Sequence, residues 1–245
     1  MHDNRLDIVL PCYQPQPGWD DTIVQTWATL QTLLPGVRMR LIIVNDGSAR
    51  GVSPAQVDRI RAAVPELVFV QRTENKGKGY TVREGMALAD APVCMFTDID
   101  FPYTPESIVE VYRMVAVEQA DIAPGIKDQA YYNNLPPVRV YVSRFLRFLI
   151  SAFLRLSVTD TQCGLKAFSP AGRAVFLRTT INRYLADLEC LFLAEHTPGI
   201  TIRPVAVHLK PGVVFSKLNP QILLTEGRNF LKVWANATFG RKPSA

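Results

Sequence analysis

The sequence predicts an α/β fold with a mostly parallel sheet flanked by helices, and three observations predict it. Apolar runs rich in β-branched residues alternate with amphipathic stretches through the first 125 residues, the pattern of parallel strands joined by crossover helices. Each of the first four runs ends in a polar, small or acidic loop. The chain has 245 residues, of which 48% are hydrophobic, enough to bury such a sheet on both faces.

Taken in order, strands are expected at 6–10, 39–44, 67–70, 93–96 and, more weakly, 121–123. Helices are expected between them at 20–34, 54–64, 80–89 and 105–118. The second half changes character: a long helical run covers 138–156, an irregular segment 159–168, a helix 185–195, a strand 201–207 and a last helix 220–233. The stretch 210–219, with Gly212 and Ser216, reads as a loop. No repeat or linker interrupts the chain, so residues 1–210 are expected to form the catalytic domain. Residues 211–245 are then a loop, helix and basic aromatic tail, part of that domain or a peripheral membrane contact.

Charge and cysteine content exclude several classes. A net charge of +5 favours anionic partners but lacks the dense Lys/Arg stripe of a nucleic-acid binder. Cys12, Cys94, Cys163 and Cys190 are scattered without a C-x-x-C pair, which excludes a zinc knuckle and a disulfide framework and points to a reducing cytosol. Asp3, Arg5 and Asp7 interrupt the apolar run a signal peptide needs, and no segment reaches the roughly 20 apolar residues of a membrane span. A cytoplasmic protein, soluble or peripherally attached to the membrane face, is expected.

In open parallel sheets, ligands bind beyond the carboxyl ends of the strands. There the sequence places Pro11-Cys12-Tyr13, then Asn45-Asp46-Gly47-Ser48, then Arg72 to Gly79, then Thr97-Asp98-Ile99-Asp100. Ordinary turns use the same residue types, but four such loops in succession on one rim point to a site. Asp98 and Asp100, directly after a buried run, suit a divalent cation whose shell a diphosphate completes, and hard oxygen ligands select Mg²⁺ or Mn²⁺. Asp46 is placed to accept from a nucleobase N–H or a ribose hydroxyl, with Gly47 allowing close approach. Lys76 and Lys78 in NKGKG precede a helix N-terminus, a layout suited to anions. The Walker A spacing and the G-x-G-x-x-G fingerprint are both missing, which argues against P-loop NTPases and nicotinamide dehydrogenases. A sugar-1-phosphate nucleotidyltransferase would need a basic glycine-rich loop after the first strand, where PCYQPQPGWDD stands. A non-catalytic nucleotide-sugar-binding protein would lack the acidic pair.

VNDGS, ENKGKGYTVREGM, FTDID, DTQCGLKAF at 160–168 and LADLECLFLAE together resemble glycosyltransferase family 2, and within it the polyprenyl-phosphate glycosyltransferases of the dolichyl-phosphate β-glucosyltransferase and mannose synthase type. The resemblance spans roughly residues 6–207. It implies a GT-A fold and an inverting transfer of a hexose from a nucleotide diphosphate sugar, of the UDP-glucose or GDP-mannose type, to a polyprenyl phosphate. It implies donor-base contacts at Pro11, Tyr13 and Asp46, metal and diphosphate binding at Asp98 and Asp100, and Gln162 and Lys166 near sugar and acceptor. Asp187 and Glu189 match the family's aromatic-D-x-E stretch, and Arg139 is a candidate ligand of the acceptor phosphate. Two positions depart from the pattern: Gln14-Pro15-Gln16-Pro17 replaces an Asn-Glu pair, and Pro102 stands where mannose synthases carry Gln.

A lipid phosphate is already an anionic nucleophile and needs cations rather than a base; Lys127 and Lys166 join Arg139 as candidates. The competing expectation is a family 2 enzyme acting on a sugar hydroxyl in envelope polysaccharide or glycolipid synthesis, with one carboxylate as base. No Q-x-x-R-W motif of processive synthases occurs, so a single transfer is expected. Arg144, Arg147, Ser151 and Arg155 form a basic stripe on an apolar helix, and Phe230, Trp234 and Phe239 lie among basic residues, which together suggest a membrane-surface contact.

Overall fold

The computed structural model describes residues 4–127, 147–154, 156–158, 160–211 and 220–239. It contains a seven-stranded sheet in the order β3-β2-β1-β4-β6-β5-β7. The strands are β1 (Arg5–Cys12), β2 (Arg38–Asn45), β3 (Leu67–Gln71), β4 (Val93–Phe96), β5 (Ile122–Lys127), β6 (Lys166–Phe168) and β7 (Val205–Val207). Pairing is parallel from β3 through β4 and between β5 and β7, while β6 runs antiparallel to both of its neighbours. The expected mostly parallel sheet is therefore present, with one strand, β6, where an irregular segment is expected.

Alternation along the strands assigns the two faces. Ile8 and Leu10 of β1 pack with Ile23, Trp27 and Leu30 of α1 (Trp19–Leu33), Ile60 of α2 (Pro54–Ala63) and Ile108 of α4 (Pro105–Ala116). Val9, one residue out of phase, packs with Val82 and Met86 of α3 (Lys78–Leu88), Phe176 of α5 (Pro170–Leu177) and Leu191 of α6 (Ala186–Glu195). Each such side chain contributes about 1.5–3 kcal/mol of burial, so a one-residue slip of β1 would forfeit both layers at once. Helix starts are set locally: Ser53, Thr104 and Ser169 each cap the N-terminus of a helix whose first turn contains proline.

A third apolar cluster is separate from these two. There a short π-helical segment, Ile150–Leu154, packs with Leu185 and Leu188 and with Phe230 and Val233 of the last helix, α7 (Pro220–Phe239). Residues 147–149 are helical; the rest of the run expected over 138–156 falls outside the described residues apart from this segment and the irregular Leu156. So does most of the 210–219 loop.

Candidate active site

The four loops expected on one rim are tied together in series. The Asp46 amide donates to Cys12 O at 2.7 Å and the Gln14 amide to Ser48 Oγ at 2.8 Å, joining the first loop to the second. The Asp46 carboxylate accepts from the amides of Lys76 at 2.8 Å and Gly77 at 2.9 Å, joining the second to the third. Lys78, the first residue of α3, places its ammonium on Asp98 Oδ1, joining the third to the fourth.

That geometry revises the role expected of Asp46. Both of its oxygens are occupied by protein amides, Arg72 lies at 3.1 Å, and the residue is 2% exposed. Its charge holds the NKGKG loop in place and is not presented to a base. Gly47 does allow a close approach, but to the backbone of Glu74 and Asn75, at 2.6 and 2.8 Å from where a Cβ would stand. Of the other donor-base candidates, Tyr13 is exposed and Pro11 half-buried.

The NKGKG glycines serve packing as well. A Cβ on Gly79 would lie 2.6 Å from Ile181 O and 2.7 Å from Arg183 O, so α3 meets the 181–186 segment backbone to backbone. Arg83 fastens the same contact through Thr179, Ile181 and Asn182.

Behind the acidic pair, DTQCG folds directly onto Asp98. A Cβ on Gly164 would overlap Asp98 Oδ2, so only glycine leaves that carboxylate its position. The Gly164 amide donates to the Tyr103 hydroxyl at 3.0 Å, and the Cys163 thiol lies 3.3 Å from the same oxygen. Asp160 accepts from the Lys127 amide at 2.8 Å, and the Lys127 ammonium donates to Gln162 O at 2.9 Å. Lys127 thus braces this turn, and Gln162 is half-buried beside it. Arg139 lies outside the described residues.

Lys166 is corrected from a substrate contact to an internal strut. It is 0% exposed in β6, and its ammonium donates to Thr161 O at 3.1 Å, Cys163 O at 2.6 Å and Asp187 Oδ1 at 3.1 Å, with its charge 5.5 Å from the Phe96 ring centroid. Three acceptors use all three of its protons. Glu189 is corrected likewise. Its carboxylate accepts from the Thr180 amide and hydroxyl and the Ile181 amide, each at 2.8 Å, on the side of α6 away from Lys166. Asp187 and Glu189 are two residues apart on a helix and so point in different directions; both are buried rather than solvated. Removing Lys166 would leave a buried carboxylate and two buried carbonyls without their donor. Lys166→Ala is therefore expected to destabilise the fold by about 3–5 kcal/mol, read as a fall in the urea midpoint; an unchanged midpoint would show that the strut carries no stability.

Electrostatics concentrate at the acidic pair. Burial raises the Asp100 carboxyl above the usual carboxylate range, and the neighbouring Asp98 charge raises it further. Burial opposes the charge on Lys78, but Asp98 and Asp187 outweigh it and raise its pKa. Lys210, the first residue of the stretch expected as a loop, interacts electrostatically with Asp100; its amide donates to Pro102 O at 2.8 Å and its ammonium to Thr26 Oγ1 at 3.0 Å. Burial lowers its pKa against the pull of Asp100. Tyr103 and Lys210 are brought in by the bridge between Tyr103 and Leu209, a tertiary contact with no local sequence signal. Two mutually repelling carboxylates with hard oxygens on an open rim fit a divalent cation. Among the described residues no cluster of three or more acidic, histidine or cysteine side chains could hold such an ion alone, so bound diphosphate would have to complete the shell.

Comparison with known proteins shows the family and the fold. The family model described as "Glycosyl transferase family 2" matches residues 7–172. Dolichyl-phosphate beta-glucosyltransferase of Drosophila melanogaster is 27% identical, over 96% of this chain and 76% of that protein. Glycosyltransferase AglD of Haloferax volcanii is 25% identical over 96% of this chain, which spans only 38% of AglD. Among solved structures, glucosyl-3-phosphoglycerate synthase from Mycobacterium tuberculosis, in complex with Mn²⁺, uridine diphosphate and glucosyl-3-phosphoglycerate, superposes with a TM-score of 0.65 at 15% identity, covering 96% of this chain and 80% of that one. The fold is thus the GT-A type expected from the sequence.

Proposed function

The chain belongs to glycosyl transferase family 2, and from that premise we propose that this glycosyltransferase moves a hexose from a nucleoside diphosphate sugar to a polyprenyl phosphate, with inversion at the anomeric carbon. The observation that carries the reading is the seating of DTQCG against Asp98, with Gly164 under one carboxylate oxygen and Lys78 on the other. The relatives named as dolichyl-phosphate glucosyltransferases support the acceptor class.

Asp98 and Asp100 are the residues to hold Mg²⁺ or Mn²⁺, which when bound offsets the charge that develops on the departing nucleoside diphosphate. Lys78 and the N-terminal amides of α3 add fixed positive potential on the same side. Tyr13 and Pro11 border the donor end, while Asp46 holds the loop that shapes it. Gln162 is the residue of DTQCG proposed to face sugar and acceptor. Of the two carboxylates the sequence offered as a base, Glu189 is spent on Thr180 and Ile181, and Asp187 is bonded to Lys166. A nucleophile that needs no base, such as a phosphate oxygen held by Arg139, suits that arrangement. A screen of UDP- and GDP-sugars against short polyprenyl phosphates, with and without chelator, tests the proposal. Metal-dependent formation of a glycosyl phospholipid is expected, and its absence with every donor would refute it.

Attachment to the membrane surface belongs to the same proposal. Phe148, Phe153 and Leu231 are 63%, 50% and 58% exposed, and Phe153 meets Trp234 edge to face at 6.2 Å. Half-buried Arg147 and exposed Lys232 stand near them in sequence; Arg144 and Arg155 fall outside the described residues. Among the described residues no helix is long and apolar enough to cross a membrane. Replacing Arg144, Arg147 and Arg155 by glutamine is expected to weaken binding to anionic liposomes about 100-fold at low salt, from roughly 1 kcal/mol per arginine. Unchanged co-sedimentation would leave this surface as a packing element.

A further inference from the structure

We infer that Lys78 is a resident cation at the acidic pair: its ammonium holds the place on Asp98 that a divalent ion would take, so that ion and nucleoside diphosphate bind well only together. The inference rests on the reading of Asp98 and Asp100 as a divalent-ion site and adds how that site is kept when empty.

Both carboxylate oxygens of Asp98 have close neighbours. Its Oδ2 is wedged against Gly164, where even a methyl group would overlap, and its Oδ1 is bonded by Lys78. An ion that takes Oδ1 of Asp98 from the rim competes with the ammonium. The Lys78 side chain is three-quarters buried and lines a recess with Phe96, Tyr184 and Asp187. The carboxylate in that recess, Asp187, is already bonded by Lys166. An ion arriving alone would strand a largely buried ammonium away from its counter-ion, which is unfavourable. A diphosphate arriving with the ion gives the ammonium new anionic oxygens, and α3, whose first residue is Lys78, presents its N-terminus to the same charge. By linkage, the factor by which nucleotide raises ion affinity equals the factor by which ion raises nucleotide affinity. An ordinary structural salt bridge would produce no such coupling beyond the chelation of the ion by the nucleotide itself.

The test is direct titration of the full chain with Mn²⁺ and no nucleotide, following free Mn²⁺ by electron paramagnetic resonance. Lys78→Met, which keeps the stem and removes the charge, is expected to bind Mn²⁺ about 10-fold or more tighter than wild type, since no ion pair has to be broken. Lys78→Arg, which keeps the charge, is expected to stay near wild type, and Asp98→Asn to bind less. Lys78→Gln serves if Lys78→Met fails to fold. Dialysis of UDP and of GDP with and without Mn²⁺ should show a smaller ion-dependent gain in Lys78→Met than in wild type for whichever nucleotide binds. Mn²⁺ binding no tighter in Lys78→Met or Lys78→Gln, but weaker in Asp98→Asn, would overturn the role of Lys78 and leave the ion site standing. Equal binding in all variants, Asp98→Asn included, would overturn the ion site and the inference with it.

Discussion

Asp98→Ala and Asp100→Ala are each expected to reduce sugar transfer by about 1,000-fold or more while the protein stays folded, because positioned charge at a departing diphosphate contributes roughly 4 kcal/mol or more. The two should differ in detail. Asp98→Ala also strips Lys78 of its counter-ion and leaves space beside Gly164, so some loss of nucleotide affinity accompanies the loss of rate. Asp100→Ala removes the carboxyl that burial and the Asp98 charge hold above its usual range. The sign of the pH effect follows: without the ion, Asp100 takes up its proton at a higher pH than an ordinary aspartate, so on the acid side the proton competes with ion binding at the pair. In Asp98→Asn the Asp100 pKa should move down, because the charge that helped raise it is gone. Turnover by either alanine variant equal to wild type in the presence of chelator would remove the metal role.

The second large effect separates phosphate from hydroxyl acceptors. Arg139→Ala is expected to lower turnover by about 30- to 1,000-fold with donor binding nearly intact, the cost of a charge-assisted contact of roughly 2–4 kcal/mol made chiefly in the transition state. Asp187→Asn should act differently. Its carboxylate is bonded by Lys166, so the variant is expected to change the positioning of the 161–163 turn and to leave no missing limb in the pH-rate profile. A hydroxyl acceptor demands the reverse, with Asp187 controlling a kinetic pKa and Arg139 of little consequence. Glu189→Gln should register mainly in stability, since its carboxylate is engaged by Thr180 and Ile181.

Much of the fold was legible because the signals were local. β1 to β4 are short apolar runs between amphipathic stretches, and α2 and α4 each begin with a Ser or Thr cap and a proline; α5 carries the same start signal but was not among the expected helices. β6 was not legible. It is three residues long and begins with a lysine whose burial depends on two nearby carbonyls and on Asp187, 21 residues away. A charged residue in so short a strand reads as a loop until those acceptors are known. The four-loop rim was legible from strand ends, but the chain of hydrogen bonds through it was not. Asp46 offers the same chemistry to a base as to the amides of Lys76 and Gly77, and only the tertiary fold chooses. The different directions of Asp187 and Glu189 were readable in principle from their spacing on a helix. Lys210 was not, because it reaches the acidic pair through a bridge between segments about 100 residues apart.

Initial rates measured side by side, with one active nucleotide sugar and either a short polyprenyl phosphate or a sugar-hydroxyl acceptor, test the assignment of a lipid phosphate as the nucleophile most directly. Ion-dependent transfer to the phosphate, with inverted anomeric configuration in the product and negligible transfer to the hydroxyl, is the expected result; turnover on the hydroxyl acceptor alone would contradict it.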